Sequence, residues 1–136
     1  MSADKAFFDT SVLLYLFSPD ARKANRMEAL LTAGGVISVQ VLSEFTSVAR
    51  RKLGMSWEEI AEALQAIRAS CRVEPLTERT HDLAFALATR YELSWYDAMI
   101  VASARLAECE TLYTEDMHHG LVVDQLKLQN PFRRSR

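Results

Sequence analysis

Four acidic residues stand where an α/β fold gathers its active-site groups: Asp9, Glu44, Asp97 and Asp116. Each lies where a short hydrophobic run that resembles a strand stops, or where an apolar helix pattern begins. In open parallel sheets, such positions meet in a crevice at the carboxyl ends of the strands. Carboxylate oxygens are the hard ligands that Mg²⁺ prefers, and a cluster of this size suits one or two ions. The four acids therefore predict divalent-metal chemistry.

This chemistry fits the hydrolysis of phosphodiester bonds. Two ions about 3.5–4 Å apart can activate a water molecule and stabilise the leaving oxygen. The sequence has no glycine-rich phosphate loop, no Gly-x-Ser-x-Gly nucleophile elbow and no His-Glu-x-x-His zinc motif. The acids are thus the strongest catalytic signal in the chain.

Each acid also has a purely structural alternative. Asp9 would cap the apolar helix that follows it, and Asp97 would complete a capping box with Ser94. Glu44 would be an exposed residue at a helix edge, and Asp116 a turn residue in a Glu-Asp pair. The joint pattern is stronger than its parts, so we expect the four acids to converge.

The elements that would position the acids alternate between strand and helix patterns. Predicted strands cover 6–8, 36–39, 71–76 and 111–114, with a short final pair at 122–123 and 126–128. Predicted helices cover 12–17, 21–33, 40–53, a segment opened by a capping box at Ser56, 77–91 and 98–107. This alternation implies an α/β fold with a mostly parallel sheet covered on both faces.

Composition predicts one globular domain over 1–136, with 49% hydrophobic and 25% charged residues. The net charge of −2 gives no global attraction for nucleic acid. Basic residues do cluster locally. These clusters would either contact phosphates or form solvated helix faces and a solvated tail. The clusters are Arg22, Lys23 and Arg26; Arg50, Arg51 and Lys52; and Arg133, Arg134 and Arg136.

Other residues indicate a reducing compartment and no membrane association. Cys71 and Cys109 have no Cys or His partner at zinc spacing, and we expect both to be buried thiols. The amino terminus lacks the basic region of a signal peptide, and no apolar run approaches the ~20 residues that span a bilayer. We therefore expect a cytoplasmic protein.

Two histidines and two tryptophans are weaker candidates for chemistry. His118 and His119 are adjacent in a polar loop and match no acidic motif, so we predict surface residues, not ligands or general bases. Trp57 and Trp95 stand in capping segments, which favours packing against a helix start over stacking on bases.

Four segments, in order, resemble the motifs of PIN-domain nucleases: 7–15, 37–45, 93–104 and 112–116. The first is similar to the family's hydrophobic strand, Asp-Thr-Ser element and apolar helix, and the last to its Thr-x-Asp motif. The match runs from about residue 7 to residue 132, nearly the whole chain. The resemblance implies a three-layer α/β/α PIN-like domain with a mostly parallel central sheet.

Among PIN proteins, a bare domain of this size most resembles the VapC-type toxins of bacterial toxin–antitoxin pairs. The resemblance implies an Mg²⁺- or Mn²⁺-dependent endoribonuclease that acts on RNA and is commonly a homodimer. It also implies a cognate antitoxin whose tail enters the active-site groove.

The same resemblance assigns the site residues. It makes Asp9, Glu44, Asp97 and Asp116 the metal-binding, catalytic acids. It makes Thr10, Ser11 and Thr114 supporting hydroxyls that position an acid or water. Ser11 stands where many members have Asn, and Asp116 fits the Thr-x-Asp spacing better than Glu115.

Two other functions stay open. One is a noncatalytic module that uses the acidic pocket to hold a basic partner segment. The other is a PIN-like nuclease that acts on structured DNA, against which the lack of an added DNA-gripping domain argues.

Overall fold

A computed structural model of the chain describes residues 5–133 and arranges them as alternating strands and helices. The elements, in order, are β1 (Ala6–Phe8), α1 (Thr10–Leu13) with a 3₁₀ turn (Leu14–Phe17), α2 (Ala21–Thr32), β2 (Gly35–Ser38), α3 (Val39–Arg51), α4 (Trp57–Ser70), β3 (Cys71–Glu74), α5 (Glu78–Tyr91), α6 (Trp95–Leu106), β4 (Thr111–Tyr113), β5 (Val122–Val123) and β6 (Leu126–Gln129). Arg134 and Arg136 of the predicted basic tail lie outside the described residues.

The strands form one six-stranded sheet in the order β3-β2-β1-β4-β6-β5. All neighbouring pairs are parallel except β5 with β6, which is the predicted final strand pair. The predicted α/β fold with a mostly parallel sheet is confirmed. Predicted boundaries shift by a few residues: β3 ends at Glu74 because Pro75 has no N–H to donate, and α6 begins at Trp95 instead of residue 98.

The order of the strands creates a reversal beside β1. In the sheet, β2 and then β3 lie on one side of β1, and the next strand of the chain, β4, lies on the other side of β1. Since crossovers between parallel strands are right-handed, the two directions put α1 to α4 on one face and α5 with α6 on the other. The carboxyl ends of β1 and β4 thus form the switch point at which open α/β sheets bind ligands.

The core lies under this switch point. Phe7 and Phe8 of β1 are fully buried, and so are six of the twelve residues of α6. At the start of β2, a side chain on Gly35 would place its Cβ 2.7 Å from the Ala6 carbonyl oxygen, so only glycine allows β2 to lie this close to β1. None of the helices in residues 5–133 is long and apolar enough to cross a membrane.

Cysteine and tryptophan environments agree only in part with the sequence prediction. Cys109 is buried, whereas Cys71 is partly buried, and burial raises the pKa of its thiol to about 12. Trp95 is partly buried among ring contacts with His81 and Phe85. Trp57 is 61% exposed and its ring faces the Arg50 guanidinium, so the prediction that it packs against a helix start was wrong.

Candidate active site

Asp9 is the most buried of the predicted acids, with 5% of its surface exposed. It follows β1 directly and caps α1, and its Oδ1 accepts a hydrogen bond from the Thr10 N–H at 2.8 Å. Its Oδ2 accepts hydrogen bonds from the hydroxyls of Ser11 at 3.0 Å and Thr114 at 2.8 Å. Burial nevertheless raises the pKa of Asp9 to about 6, the three hydrogen bonds oppose the rise, and the nearby Glu44 charge adds to it. Asp9 therefore combines the structural capping role with a place in the site.

Glu44 projects from α3 towards Asp9 and is held at both oxygens. Its Oε1 accepts a hydrogen bond from the Thr10 hydroxyl at 2.9 Å, and its Oε2 accepts one from the Gln40 amide at 3.1 Å. The side chain is partly buried. The alternative of an exposed helix-edge residue is therefore wrong.

Asp97 and Asp116 have carboxylates without hydrogen bonds from other described residues. The Asp97 N–H donates to the Ser94 hydroxyl at 3.4 Å, but its carboxylate makes no return bond to the Ser94 backbone, so the predicted capping box is only half formed. Asp116 is exposed as a residue, but desolvation of its carboxyl group raises its pKa, and the negative charges of Asp97 and Glu115 raise it further. Both carboxylates remain available to a ligand.

One cavity of about 410 Å³ is lined by all four predicted acids: Asp9, Glu44, Asp97 and Asp116. Thr10 and Ser11 also line it, while Thr114 is fully buried beneath Asp9. The cavity lies at the carboxyl ends of β1 and β4, since Asp9 follows β1 and its N–H donates to the Tyr113 carbonyl at the end of β4. The fold thus brings together four carboxylates that are far apart in sequence.

The donor set suits a hydrated divalent ion. No three or more His, Cys, Asp or Glu side chains within residues 5–133 are arranged to hold a metal ion by themselves. The acids instead act on one another in pairs, Glu44 on Asp9 and Asp97 on Asp116. Mg²⁺ usually keeps several waters and takes one or two protein carboxylates plus substrate phosphate oxygens, so paired acids are sufficient. A cation would also relieve the charge repulsion that adds to the effect of desolvation on the pKa values of Asp9 and Asp116.

Glu115 has a different role from its neighbour. Its carboxylate accepts hydrogen bonds from the Tyr15 hydroxyl at 2.6 Å and the Lys23 amine at 3.3 Å. Its backbone N–H donates to the Ser11 hydroxyl at 3.1 Å. Glu115 therefore fastens the loop after β4 to α1 and α2, and Asp116 is the acid of the pair that lines the cavity.

Gln40 is a site residue that the sequence analysis missed. It is 7% exposed, and its amide donates at 3.1 Å both to Glu44 and to the Tyr96 carbonyl in the first turn of α6. It therefore links the helix that carries Glu44 to the turn that carries Asp97. The one available signal was its position four residues before Glu44, on the same helix face.

The adjacent histidines are not among the residues that line the acidic cavity. His118 is exposed, and the ring of the partly buried His119 accepts a hydrogen bond from the Asn130 N–H at 3.0 Å. His119 fixes the chain after β6.

Comparison with known proteins gives a family match. A family model described as the PIN domain matches residues 6–121. A search of curated proteins returned no match.

Several solved structures share the fold. A chain of a toxin–antitoxin complex from Klebsiella pneumoniae is 22% identical, with a TM-score of 0.73 and coverage of 95% of this chain and 99% of that one. VapC20 of Mycobacterium tuberculosis, a sarcin–ricin loop cleaving toxin, is 28% identical, with a TM-score of 0.66 and coverages of 82% and 89%. VapBC2 of Rickettsia felis, bound to a DNA fragment from its promoter, is 22% identical, with a TM-score of 0.66 and coverages of 92% and 97%.

Proposed function

The chain belongs to the PIN-domain family, and from that membership we propose that it is a metal-dependent endoribonuclease that acts as the toxin of a toxin–antitoxin pair. The observation that carries the proposal is the single cavity lined by Asp9, Glu44, Asp97 and Asp116 at the switch point of the sheet. Neighbouring carboxylates that repel one another are suited to binding a cation.

In this proposal the four acids have different roles. Asp9, Glu44 and Asp97 hold the principal ion, Mg²⁺ or Mn²⁺, partly through its bound waters, since no three of the described acids are arranged to ligate one ion directly. When bound, a divalent ion supplies the activation of water and the stabilisation of the leaving oxygen in phosphodiester hydrolysis. The exposed Asp116 orients the attacking water or supports a second, weaker ion.

The surrounding hydroxyls and amides keep the acids in place. Ser11 and Thr114 hold one oxygen of Asp9, and Thr10 contacts both Asp9 and Glu44. Such contacts fix carboxylate orientation before substrate arrives, which is how supporting residues raise the effectiveness of a metal site.

RNA as substrate and an antitoxin as partner are supported by the structural neighbours. VapC20 is a sarcin–ricin loop cleaving toxin, and two other neighbours come from toxin–antitoxin assemblies. The antitoxin would present Arg or Lys to the acidic cavity and so take the place of the cation. We further propose a cytoplasmic homodimer.

Growth of bacteria that express the chain without its partner tests this proposal. Wild-type protein should arrest growth, and Asp9→Asn and Asp116→Asn should not, because each removes one ligand charge from the site. Asp116 is exposed, so its replacement tests the site with little risk to folding.

Glu58→Gln is the matched control, because Glu58 is an exposed acid in the first turn of α4, away from the cavity. It makes the same change in charge and should remain toxic. Equal toxicity of wild type and Asp116→Asn would contradict the metal-dependent nuclease mechanism.

A further inference from the structure

Two basic residues at the end of α3 line one side of the acidic cavity. Arg51 and Lys52 line the same cavity as the four acids, together with Ser47 and Val48 one turn earlier. The sequence showed these two residues only as part of a basic cluster. Their place in the cavity gives the site both signs of charge.

The Arg51 side chain is fixed at one point and free at its end. Its Nε donates a hydrogen bond to the Ser47 hydroxyl at 3.1 Å. Among the described residues, neither terminal nitrogen of Arg51 makes a hydrogen bond or ion pair, and the same holds for the Lys52 amine. Both residues are exposed. Their cationic groups are thus available to an incoming anion.

Arg50, the residue before them, is engaged elsewhere. Its Nη1 donates to the Met55 carbonyl at 3.0 Å, and its guanidinium lies 5.0 Å from the centre of the Trp57 ring. It does not line the cavity described above. Arg50 and Arg51 therefore have the same charge and the same helix turn but different surroundings.

We propose that Arg51 and Lys52 bind the phosphodiester backbone of the RNA substrate and hold it beside the acids. This inference rests on the proposed nuclease function. A polyanion gains no attraction from a chain of net charge −2, and four carboxylates repel it, so a local cationic contact must hold it in the cavity. Arginine suits this task because its planar guanidinium donates two parallel hydrogen bonds to a phosphate. The contact reads no base, and so it sets affinity without sequence preference.

A structural alternative is that the cations only stabilise the end of α3. Positive side chains in the last turn of a helix interact favourably with the negative end of its dipole. The last turn of α3 contains both Arg50 and Arg51, so this effect applies to the two residues alike. Comparison of matched variants at these positions therefore separates helix stabilisation from phosphate binding.

The experiment measures the fluorescence anisotropy of a labelled single-stranded RNA over a series of salt concentrations in EDTA. The variants are Arg51→Gln, Lys52→Gln and the control Arg50→Gln, with cleavage of the same RNA followed separately in Mn²⁺. Arg51→Gln should weaken binding about tenfold at low salt, since a charge-assisted hydrogen bond is lost. Arg51→Gln and Lys52→Gln should each lower the slope of log K against log salt by about 0.7. Arg50→Gln should change neither quantity.

Single-stranded DNA of the same sequence is the second probe. Because DNA and RNA share the phosphodiester, Arg51→Gln and Lys52→Gln should weaken binding to both by similar factors. A loss confined to RNA would assign these residues to the ribose and overturn the phosphate contact.

The remaining outcomes separate this inference from the function on which it rests. If the wild-type protein cleaves RNA but Arg50→Gln and Arg51→Gln weaken RNA binding equally, the phosphate contact of Arg51 and Lys52 is overturned and the nuclease function is not. Wild-type protein that neither binds nor cleaves RNA would overturn both.

Discussion

At the scale of single residues, Asp9 shows how burial and hydrogen bonding compete. Three donors stabilise its charged form, yet the loss of solvation is the larger effect, and burial raises the pKa of the carboxyl to about 6. Without a cation, the folded protein therefore holds a proton on Asp9 more tightly than the unfolded chain does. A divalent ion would reverse this balance, since it binds only the deprotonated carboxylate.

The stability of the metal-free protein should consequently fall as the pH rises through the range in which Asp9 loses its proton. The pKa is 3.8 in a model peptide and about 6 in the fold, so the advantage of the protonated carboxyl is present below 3.8 and is lost as pH rises to about 6. The free energy of unfolding should fall by roughly 3 kcal/mol over this range. Asp9→Asn should remove most of this pH dependence, because the amide does not titrate. Urea unfolding in EDTA across this range measures the effect.

The control is Glu58→Gln, which should keep the wild-type pH dependence. Metal-free Asp9→Asn whose unfolding free energy falls with pH as steeply as that of the wild type would show that Asp9 does not carry the effect.

The identities of the four acids were accessible from sequence, but their contacts were not. Asp9 and Asp116 stand in recognisable local patterns next to hydrophobic strands. Gln40 was missed because a glutamine inside a helix pattern has no local signature, and its importance comes from the Tyr96 carbonyl, which lies 56 positions along the chain. Contacts of this kind depend on how α3 and α6 are placed by the fold.

At the scale of elements, capping signals located helix starts better than they assigned side-chain roles. The Ser56 capping box is complete, with reciprocal bonds to Glu59, and α4 begins at the next residue. The Ser94 match also marks the start of α6, but only one of its two bonds is made. The carboxylate of Asp97 is thereby left for the cavity. The two cases differ in the residue at the third helical position, because a Glu side chain reaches back to the cap more easily than the shorter Asp.

The secondary-structure pattern was largely predictable because its signals are local. Short runs of β-branched, aromatic and aliphatic residues predicted β1, β2 and β4, and helical spacing predicted α2 to α5. Boundaries were less accurate at β3 and α6. At the start of α6, Trp95 and Tyr96 lie in the helix although their side chains are partly or largely exposed, so the buried stretch of the sequence begins later than the helix does.

At the scale of the whole molecule, the order of the strands creates the site. Alternation of strands and helices predicted a parallel sheet, but only the return of β4 to the side of β1 brings Asp116 into the same cavity as Asp9. That order depends on contacts between segments about a hundred positions apart, such as the hydrogen bond from Thr114 to Asp9. The sequence supplies no local sign of it. Resemblance to PIN-domain nucleases provided the missing information.

The surface of α5 and α6 supports the proposed homodimer. Phe85 is 64% exposed and Tyr96 is 65% exposed, and Phe85 lies 6.2 Å from the Trp95 ring between centroids. Exposed aromatic groups are enriched at protein interfaces. Light scattering should therefore give twice the chain mass of 15.4 kDa, and Phe85→Glu should shift the protein towards monomer. Wild-type protein that stays monomeric as its concentration rises would contradict the dimer.

Thermal melting with and without metal tests the central claim, that the four acids form one divalent-cation site. Wild-type protein, Asp97→Asn and the control Glu58→Gln are melted in EDTA and in excess Mn²⁺. In EDTA, Asp97→Asn should be as stable as the wild type or more so, because it removes one of the repelling charges. At a hundredfold excess over Kd, Mn²⁺ should stabilise the wild type and Glu58→Gln by about 2.7 kcal/mol. Asp97→Asn should lose most of this gain, because an amide is a weaker, uncharged ligand. Wild-type melting that is identical in EDTA and in Mn²⁺ would contradict the claim.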